Sequence, residues 1–382
     1  MFTPIPAATA KTGRAEHHYP CESCGADLRF APGQERLVCD YCGHVQDIPH
    51  ATGRGTSGLR ELPLAAGLHA DLPAQEIEEH RTLSCPNCGA SIEITGASHA
   101  TDCPFCATPV VADTGTRRLI KPQGLVPFAL TEAEARAALG RWLGRLWFAP
   151  SGLAQYARRG RKMTGVYAPF WTFDAASRTE YAGQRGDYYY ETRQVRVNVN
   201  GRSEMRNEQV RKIRWHRVSG RVARAFDDVL IYAARSLPPG YVQALQPWDL
   251  SGLTAYRPDY LAGFSAEGYT VDLQEGHPLA RAEMIRVIQS DVRRDIGGDE
   301  QRIDRMAPEF SAETFKHILL PVWTAAYKYR GRSFRFVVNA QTGQVRGDRP
   351  WSAWKIALAV ALVLALIAAG VYLGEVSGQG GS

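Results

Sequence analysis

The order of apolar and polar residues divides the chain into an irregular N-terminal third, a patterned middle and an apolar C-terminal segment. In the middle, apolar residues recur at helical spacing from Thr131 to about Phe148 and again from about Pro278 to Ile296. This spacing predicts two amphipathic helices, each with one face in a core. Thr131 and Glu134 form a capping box, which predicts where the first helix begins.

Strand patterns lie between the two predicted helices and again after the second helix. The segment 195–199 alternates valine with polar residues, and Asn200-Gly201 then predicts a type I′ turn between two strands. Strands are predicted again from about His317 to a turn at Thr342-Gly343. We therefore predict an α+β domain over residues 114–350.

A short repeat lies inside this region. Pro169-Phe-Trp-Thr172 and Pro321-Val-Trp-Thr324 share a Pro-x-Trp-Thr sequence, and each follows one of the predicted helices. The repeat suggests that the α+β domain is duplicated, with two related units at about 119–275 and 276–350. Each unit would combine a helix with part of the sheet.

The C-terminal segment has no polar face. Residues 356–374 are uncharged and mostly apolar, and they are long enough to cross the hydrocarbon core of a bilayer as a helix. With flanking aromatic residues, the predicted transmembrane helix covers 354–374. Lys355 and two arginines lie at its N-terminal side, whereas Glu375 is the only charge in the tail at 375–382.

This charge asymmetry predicts the orientation of the protein. By the positive-inside rule, the bulk of the chain faces the cytoplasm and the short C-terminal tail lies outside. We therefore predict a single-pass, tail-anchored protein of the inner (cytoplasmic) membrane.

All eight cysteines lie in the N-terminal third and repeat one pattern twice. Each half contains two Cys-x-x-Cys pairs separated by fourteen residues. Such pairs bring four thiolates around one ion, so we predict two zinc ribbons, each with one four-cysteine zinc site. The predicted ligands are Cys21, Cys24, Cys39 and Cys42 in the first site, and Cys85, Cys88, Cys103 and Cys106 in the second.

We predict zinc ribbons, as small β modules, at 17–50 and 81–113, with a mobile tail at 1–16 and a linker at 51–80. Each ribbon is too small to hold a core alone, so metal loss is expected to unfold the ribbon while the α+β domain stays folded. Glycine follows the second cysteine in three of the four pairs, a position that commonly needs positive φ. Ala107 occupies this position in the fourth pair.

Other interpretations of eight cysteines are weaker. Disulfides suit a secreted domain, but residues 1–18 lack the apolar segment of a secretory signal. A dithiol redox centre matches two identical four-cysteine frames poorly. Iron remains the alternative to zinc, because four-thiolate geometry alone does not distinguish the two metals.

Charge and motifs narrow the function. The net charge of +6 is too small to indicate nucleic acid by itself and suits an anionic membrane surface equally well. The basic segment Arg211–Arg217 contains one aromatic residue, so nucleic acid and anionic lipid are both considered as ligands of this segment.

The common nucleotide-loop, serine-hydrolase and zinc-protease motifs are absent, so no enzyme is predicted. The acidic pairs Asp227-Asp228 and Asp299-Glu300 are interpreted as solvent-exposed loop acids.

These features together resemble a family of bacterial zinc-ribbon membrane proteins. Besides the ribbons and the terminal span, the resemblance is carried by Pro169-Phe-Trp-Thr-Phe-Asp174, Phe226-Asp-Asp-Val-Leu230, Pro247-Trp-Asp249, Asp295-Ile-Gly-Gly298 and Leu320-Pro-Val-Trp323. Members are often labelled "primosomal protein N′", "replication factor Y-like" or transcription-factor-type zinc ribbon. A helicase is not expected here, because its nucleotide-binding loop is missing.

The resemblance implies a membrane anchor that recruits flotillin-like or phage-shock-type membrane stress proteins. We therefore predict a non-enzymatic adaptor that holds a cytoplasmic protein partner at the bilayer, with both ribbons needed for recruitment. The alternative is a nucleic-acid-binding zinc-ribbon protein, accessory to replication or transcription and without a helicase motor.

Overall fold

The computed structural model describes residues 19–48, 59–69, 71–93, 100–106, 108–111, 115–148, 163–199, 202–329, 332–348 and 351–379. The expected tail at 1–16, Ala107 and the turn at Asn200-Gly201 lie outside the described residues. Within them the bulk of the chain is a large β-rich region, and its main sheet has 12 strands. The predicted α+β domain is therefore dominated by strands.

The strands are β1 (Leu28–Ala31), β2 (Arg36–Cys39), β3 (Val45–Asp47), β4 (Leu62–Pro63), β5 (Ile77–Ser84), β6 (Ser91–Glu93), β7 (Ala100–Asp102), β8 (Pro109–Val111), β9 (Gly115–Ile120), β10 (Gly124–Leu125), β11 (Thr164–Val199), β12 (Arg202–Tyr232), β13 (Thr254–Ala255), β14 (Ser265–Gly268), β15 (Glu300–Tyr329), β16 (Arg332–Asn339) and β17 (Val345–Gly347). The helices are α1 (Leu64–Leu68), α2 (Glu132–Gly144), α3 (Pro239–Ala244), α4 (Leu273–Ile296) and α5 (Ala353–Gln379). Short 3-10 turns lie at Ala74–Glu76, Leu250–Gly252 and Pro258–Leu261.

Three long strands organise the molecule. β11 lies between β12 and β15 and pairs antiparallel with both. The strands on either side of the predicted hairpin turn are paired as far as Val199 with Arg202. The β11–β15 ladder ends where Gly186 pairs with Glu300, so β11 and β12 continue beyond it as a two-stranded arm.

α4 covers one face of this sheet, as its amphipathic pattern predicts. Its inward residues share an apolar cluster with Trp171, Phe173 and Phe315 of the sheet; they are Ala280, Met284, Ile288 and Val292. The helix is capped by Asp272 and ends at Gly297, where φ is 64°. It starts at Leu273, earlier than predicted, because the cap and not the apolar period fixes the first turn.

α2 confirms the predicted capping box. The Thr131 side chain accepts from the Glu134 N–H, and the Glu134 carboxylate accepts from the Thr131 N–H. The helix packs through Leu139 and Leu143 against Phe336 of β16. It ends at Gly144, shortly before the predicted end.

The expected linker at 51–80 contains ordered elements. β4 pairs with β15, and Leu62 is buried in the same apolar cluster as α4. β5 begins at Ile77 and pairs with β9, which lies after the predicted second ribbon. Leu62 and Leu64 supply apolar surface that the main sheet buries, so this part of the predicted linker packs on the sheet.

The two copies of the Pro-x-Trp-Thr repeat lie on neighbouring antiparallel strands. Pro169 of β11 pairs with Leu319 of β15, and Pro321 pairs with Tyr167. Both copies therefore contribute to the centre of the same sheet. Duplication of the whole unit stays a prediction.

α5 is the one helix among the described residues that is long and apolar enough to cross a membrane. Its window Ala353–Gly370 has a mean hydropathy of 2.2, and none of it is buried against the protein. The helix continues to Gln379, so most of the segment expected as a tail after Gly374 is helical. Its start is held by the Ser352 N–H, which donates to the Phe148 carbonyl at 2.8 Å.

A fully buried lysine lies where the three long strands meet β4. The Lys316 ammonium contacts Glu61 at 3.0 Å, Asp174 at 3.1 Å and Asp228 at 2.9 Å. Burial lowers the pKa of Lys316, but the hydrogen bond to Asp228 and the nearby carboxylates outweigh burial and raise it. Asp227 and Asp228 are thus part of β12, and their interpretation as loop acids is wrong.

The carboxylates of Asp174, Asp227 and Asp228 lie within 4.8 Å of one another. The sequence showed the adjacent pair Asp227-Asp228 but gave no sign of Asp174 beside it, because Asp174 is distant in the chain and reaches the pair only when β11 pairs with β12. Lys316 neutralises part of their charge, so the protein supplies its own cation at this position.

Replacing this lysine tests how much the ion cluster stabilises the fold. Lys316→Ala leaves three carboxylates around an empty buried position, so we expect a loss of about 3–5 kcal/mol of unfolding free energy. The matched control is Lys121→Ala, which removes a half-exposed ion pair with Glu78 and should cost about 1 kcal/mol or less. Thermal unfolding of the full chain in detergent measures both; equal losses would contradict the role of Lys316.

Candidate metal centres

The first four-cysteine group has the geometry of a metal site. Its sulfurs all lie within 4.8 Å of one another, with Cys21 and Cys42 at 3.5 Å and Cys24 and Cys39 at 3.5 Å. A disulfide needs about 2.05 Å, so the cysteines are unpaired thiols. A tetrahedral ion with bonds of about 2.3 Å has sulfur–sulfur edges of about 3.8 Å. This group can therefore hold one metal ion.

The second group repeats this geometry. Cys85 and Cys106 are 3.5 Å apart, Cys88 and Cys103 are 3.6 Å apart, and all four sulfurs lie within 4.8 Å. Each CxxC turn contributes two thiols to the same centre, as the spacing predicts. The structure thus brings together all eight predicted ligands in two groups of four.

The CxxC turns, or knuckles, owe their shape to glycine. φ is 74° at Gly25, 73° at Gly43 and 73° at Gly89. In each case the glycine N–H donates to the carbonyl of the first cysteine of its pair. The predicted positive φ is therefore confirmed at these three positions, where a side chain would strain the backbone.

Backbone N–H groups prepare some thiols for metal binding. The Cys42 N–H, with help from the Tyr41 N–H, lowers the pKa of Cys39 to about 7. In the second centre, the Cys88 thiol and then the N–H groups of the knuckle lower the pKa of Cys103 to about 5. Thiolates are the form that binds metal, so each centre has a ligand that is readily deprotonated near neutral pH.

The two centres differ in exposure although their sequence frames are the same. Tyr41 precedes the last cysteine of ribbon 1 and is 88% exposed, whereas Phe105 at the equivalent place in ribbon 2 is 1% exposed. Cys24 and Cys42 are exposed, while Cys103 and Cys106 are buried. Ribbon 1 thus presents its metal end to solvent, and ribbon 2 buries much of its own.

Ribbon 1 is attached to the segment between β13 and β14 by the end opposite its exposed knuckle. The Phe30 ring lies 5.3 Å from Tyr260 and 6.2 Å from Phe264, measured between ring centroids. The Phe30 N–H also donates to the Ala262 carbonyl at 3.0 Å. This contact fixes the ribbon while leaving the Tyr41 knuckle free of the core.

Ribbon 2 is part of the main core. β6 pairs with β14, which pairs with β11, so the ribbon continues the main sheet. Phe105 belongs to the same apolar cluster as Phe170 and Ile318. The expectation that ribbon 2 unfolds alone on metal loss therefore changes, because its folding and that of the sheet share one core.

A carboxyl group is buried beside ribbon 2. Glu267 of β14 is fully buried, and its Oε2 accepts a hydrogen bond from the Tyr232 hydroxyl at 2.9 Å. Burial raises the pKa of Glu267 to about 8, and the hydroxyls of Ser236 and Tyr232 oppose this only in part. At neutral pH this carboxyl is therefore mostly protonated.

Sequence reasoning found the ligands but missed what surrounds them. Nothing in the CxxC spacing distinguishes an exposed knuckle from a buried one. The one available signal is the residue before the last cysteine, because phenylalanine at 105 lacks the hydroxyl that tyrosine carries at 41. No sequence pattern predicted Glu267 beside the second cysteine group, since Glu267 is far from these cysteines in the sequence.

Comparison with known proteins adds one relative. No protein-family model matches the chain, and no solved structure matches it. "Uncharacterized protein YdjG" from Bacillus subtilis (strain 168) is 25% identical over 343 residues, which is 89% of this chain and 92% of that protein. The likeness extends over nearly the full length of both chains, and the name assigns no activity.

The difference between the ribbons predicts different effects of losing a ligand. Cys106→Ser should lower the thermal unfolding midpoint of the whole chain by about 10 °C or more, because ribbon 2 shares the main core. Cys42→Ser is the matched control in ribbon 1 and should leave the main transition nearly unchanged. Each variant should bind one metal equivalent less, measured by elemental analysis. Equal shifts in the midpoint would contradict the different roles.

Glu267 predicts a pH dependence. Its carboxyl titrates at about 8 when folded and near 4.5 when unfolded, so the folded chain holds the extra proton between these values. Its contribution to stability should fall as pH rises through this window, by about 1.4 kcal/mol per pH unit. Glu267→Gln stays neutral, so its midpoint relative to the parent should rise between pH 5 and pH 8. A difference that does not change with pH would contradict the burial argument.

Proposed function

We propose that this protein is a non-enzymatic adaptor that recruits a cytoplasmic protein partner to the inner membrane. The observation that carries the proposal is the contrast between the exposed Tyr41 knuckle of ribbon 1 and the buried Phe105 knuckle of ribbon 2. A large aromatic side chain held in solvent on a rigid turn is typical of an interface anchor, and burial of such a residue supplies much of the binding energy at protein interfaces.

The proposed metal in both centres is zinc. Four thiolates form a closed tetrahedral shell with no open position for substrate, which suits a structural rather than a catalytic ion. The metal holds the knuckle rigid, so the Tyr41 side chain binds a partner without first being ordered. Iron in the same shell would be distinguished by its visible absorption.

α5 is the proposed anchor. By the positive-inside rule, Lys355 and the preceding arginines support a cytoplasmic position of the ribbons, and the free thiols suit that reducing compartment. The Lys355 ammonium donates to the Trp147 carbonyl at 3.1 Å, so the start of α5 is fastened to the segment after α2. This fastening supports a defined position of the body relative to the membrane.

The class of partner comes from the resemblance to zinc-ribbon membrane proteins. It suggests flotillin-like or phage-shock-type membrane stress proteins, which would be brought to the bilayer by ribbon 1. Ribbon 2 then has a structural role, in which its metal ion stabilises the main core. This division explains why two ribbons occur in one chain.

Replacing the exposed tyrosine tests the adaptor function. Tyr41→Ala should lower the amount of partner recovered with the full-length protein from gently solubilised membranes by about tenfold or more, because an anchor residue is lost. Quantitative mass spectrometry measures the recovery, and carbonate extraction confirms that the variant is still inserted.

The matched control is Tyr190→Ala, which removes another exposed tyrosine at a distant place on the two-stranded arm. It should leave partner recovery unchanged. If Tyr41→Ala recovers as much partner as the parent protein, ribbon 1 is not the recruiting surface. If neither form recovers a stoichiometric membrane-associated protein, the adaptor function itself fails.

A further inference from the structure

The main sheet has one face that α4 does not cover. Between residue 176 and the two-stranded arm, the residues of β11 alternate between the two faces. Ser177, Thr179 and Tyr181 are buried on the α4 side, whereas Arg178 and Glu180 between them are exposed. The open face is defined here as this exposed side of β11, β12 and β15, continued into the two-stranded arm. The register of the ladders decides which residues share it.

All basic side chains of the open face are arginines. Seven positions share this face by register, and they are Arg178, Arg196, Arg211, Arg217, Arg221, Arg302 and Arg305. Four acidic residues accompany them, and they are Glu180, Glu300, Asp304 and Glu309. The face therefore has an excess of positive charge, carried by the side chain best suited to bidentate contact with phosphate.

The acidic residues of this face are largely engaged within the protein. Glu180 pairs with Arg221 at 2.7 Å, and Glu300 accepts a hydrogen bond from the Tyr188 hydroxyl. Asp304 accepts from the Gln184 amide at 3.3 Å. In contrast, Arg211 and Arg217 form no ion pair with a carboxylate among the residues that the structure describes. Their charge is therefore available to an external anion.

Three aromatic rings stand among these arginines. Trp215 belongs to the basic segment noted in the sequence, and the ladder places Tyr188 and Tyr190 of β11 beside it on the same face. The Arg211 guanidinium lies 4.3 Å from the centre of the Tyr188 ring, and Arg302 lies 4.0 Å from that of Trp215. Tyr190 is 63% exposed. The sequence alone offered one ring, whereas the sheet assembles three.

We infer that the open face binds single-stranded nucleic acid. Aromatic rings and guanidinium planes provide surfaces on which unpaired bases stack, and arginines between them contact the phosphates. Tyr188 and Tyr190 lie two residues apart on one strand, hence about 6.8 Å apart. Side chains at this spacing can contact neighbouring bases of one strand. The surface is independent of the Tyr41 knuckle and adds to the proposed adaptor function.

The same features fit other anions less well. An anionic bilayer would have to accommodate four carboxylates on the same face. An acidic protein segment would use the arginines but has no need of the aromatic rings beside them. Nucleic acid uses the arginines and the rings together.

Binding is tested with the full-length protein in neutral detergent and a fluorescein-labelled 20-nucleotide DNA strand of mixed sequence. Fluorescence anisotropy over a series of salt concentrations gives the affinity and its salt dependence. The double variant Arg211→Gln/Arg217→Gln should bind more weakly and should reduce the salt slope by about 1.4, since each lost phosphate contact in single strands removes about 0.7.

The chain offers a matched control on the same strand. Lys212→Gln/Arg214→Gln also removes two positive charges from β12, but by register these residues lie on the opposite face. This control should keep the salt slope of the parent protein. Tyr190→Ala, which changes no charge, should weaken binding about tenfold through lost stacking and leave the slope unchanged. Thermal unfolding shows that each variant is folded.

Several results would overturn the inference. One is that the parent protein does not bind the strand at low salt. Another is that the two double variants lose affinity and salt slope equally. Binding to phosphatidylglycerol vesicles or to polyglutamate that is as tight, and as dependent on Arg211 and Arg217, would show a general anion surface. Tyr41→Ala should bind the strand normally, so failure here is distinguishable from failure of the adaptor function.

Discussion

The pairing of β11 with both β12 and β15 is the interaction on which the rest of the structure depends. This ladder fixes which residues face α4 and which face solvent, because side chains alternate strictly along a strand. It also brings Asp174, Asp228 and Lys316 together, although they come from three separate strands. A shift of one residue in this register would expose the core and bury the arginines of the open face.

The two candidate metal centres have the same four-cysteine chemistry but different surroundings. In ribbon 2, the knuckle with Phe105 enters the apolar cluster of the main sheet, so the four-cysteine group and the core are packed together. In ribbon 1, Phe30 fastens the opposite end to the body, and the knuckle with Tyr41 stays in solvent. A bound metal ion would hold either short segment rigid, and the position of each segment relative to the core decides whether it is buried or exposed.

Buried polar groups show how the core tolerates charge. Lys316 is fully buried and is matched by three carboxylates, since an unpaired ammonium would be costly in an apolar environment. Glu267 has no ion-pair partner among the residues that the structure describes; its carboxyl is instead protonated and accepts a hydrogen bond from Tyr232. The two groups are therefore stabilised in opposite ways, one by ion pairing and the other by neutralisation.

The sequence by itself determined the local features: the eight cysteines in two frames, the glycines at positive φ, the capping box of α2 and the apolar length of α5. Each depends on residues that are close in the chain, so spacing alone specifies them. Only the tertiary structure decided that β4 and ribbon 2 join the main sheet, that Tyr41 is exposed and Phe105 buried, and that Tyr188 and Tyr190 stand beside Trp215. These depend on pairing between distant segments, and strand partners and register are not encoded in any local pattern.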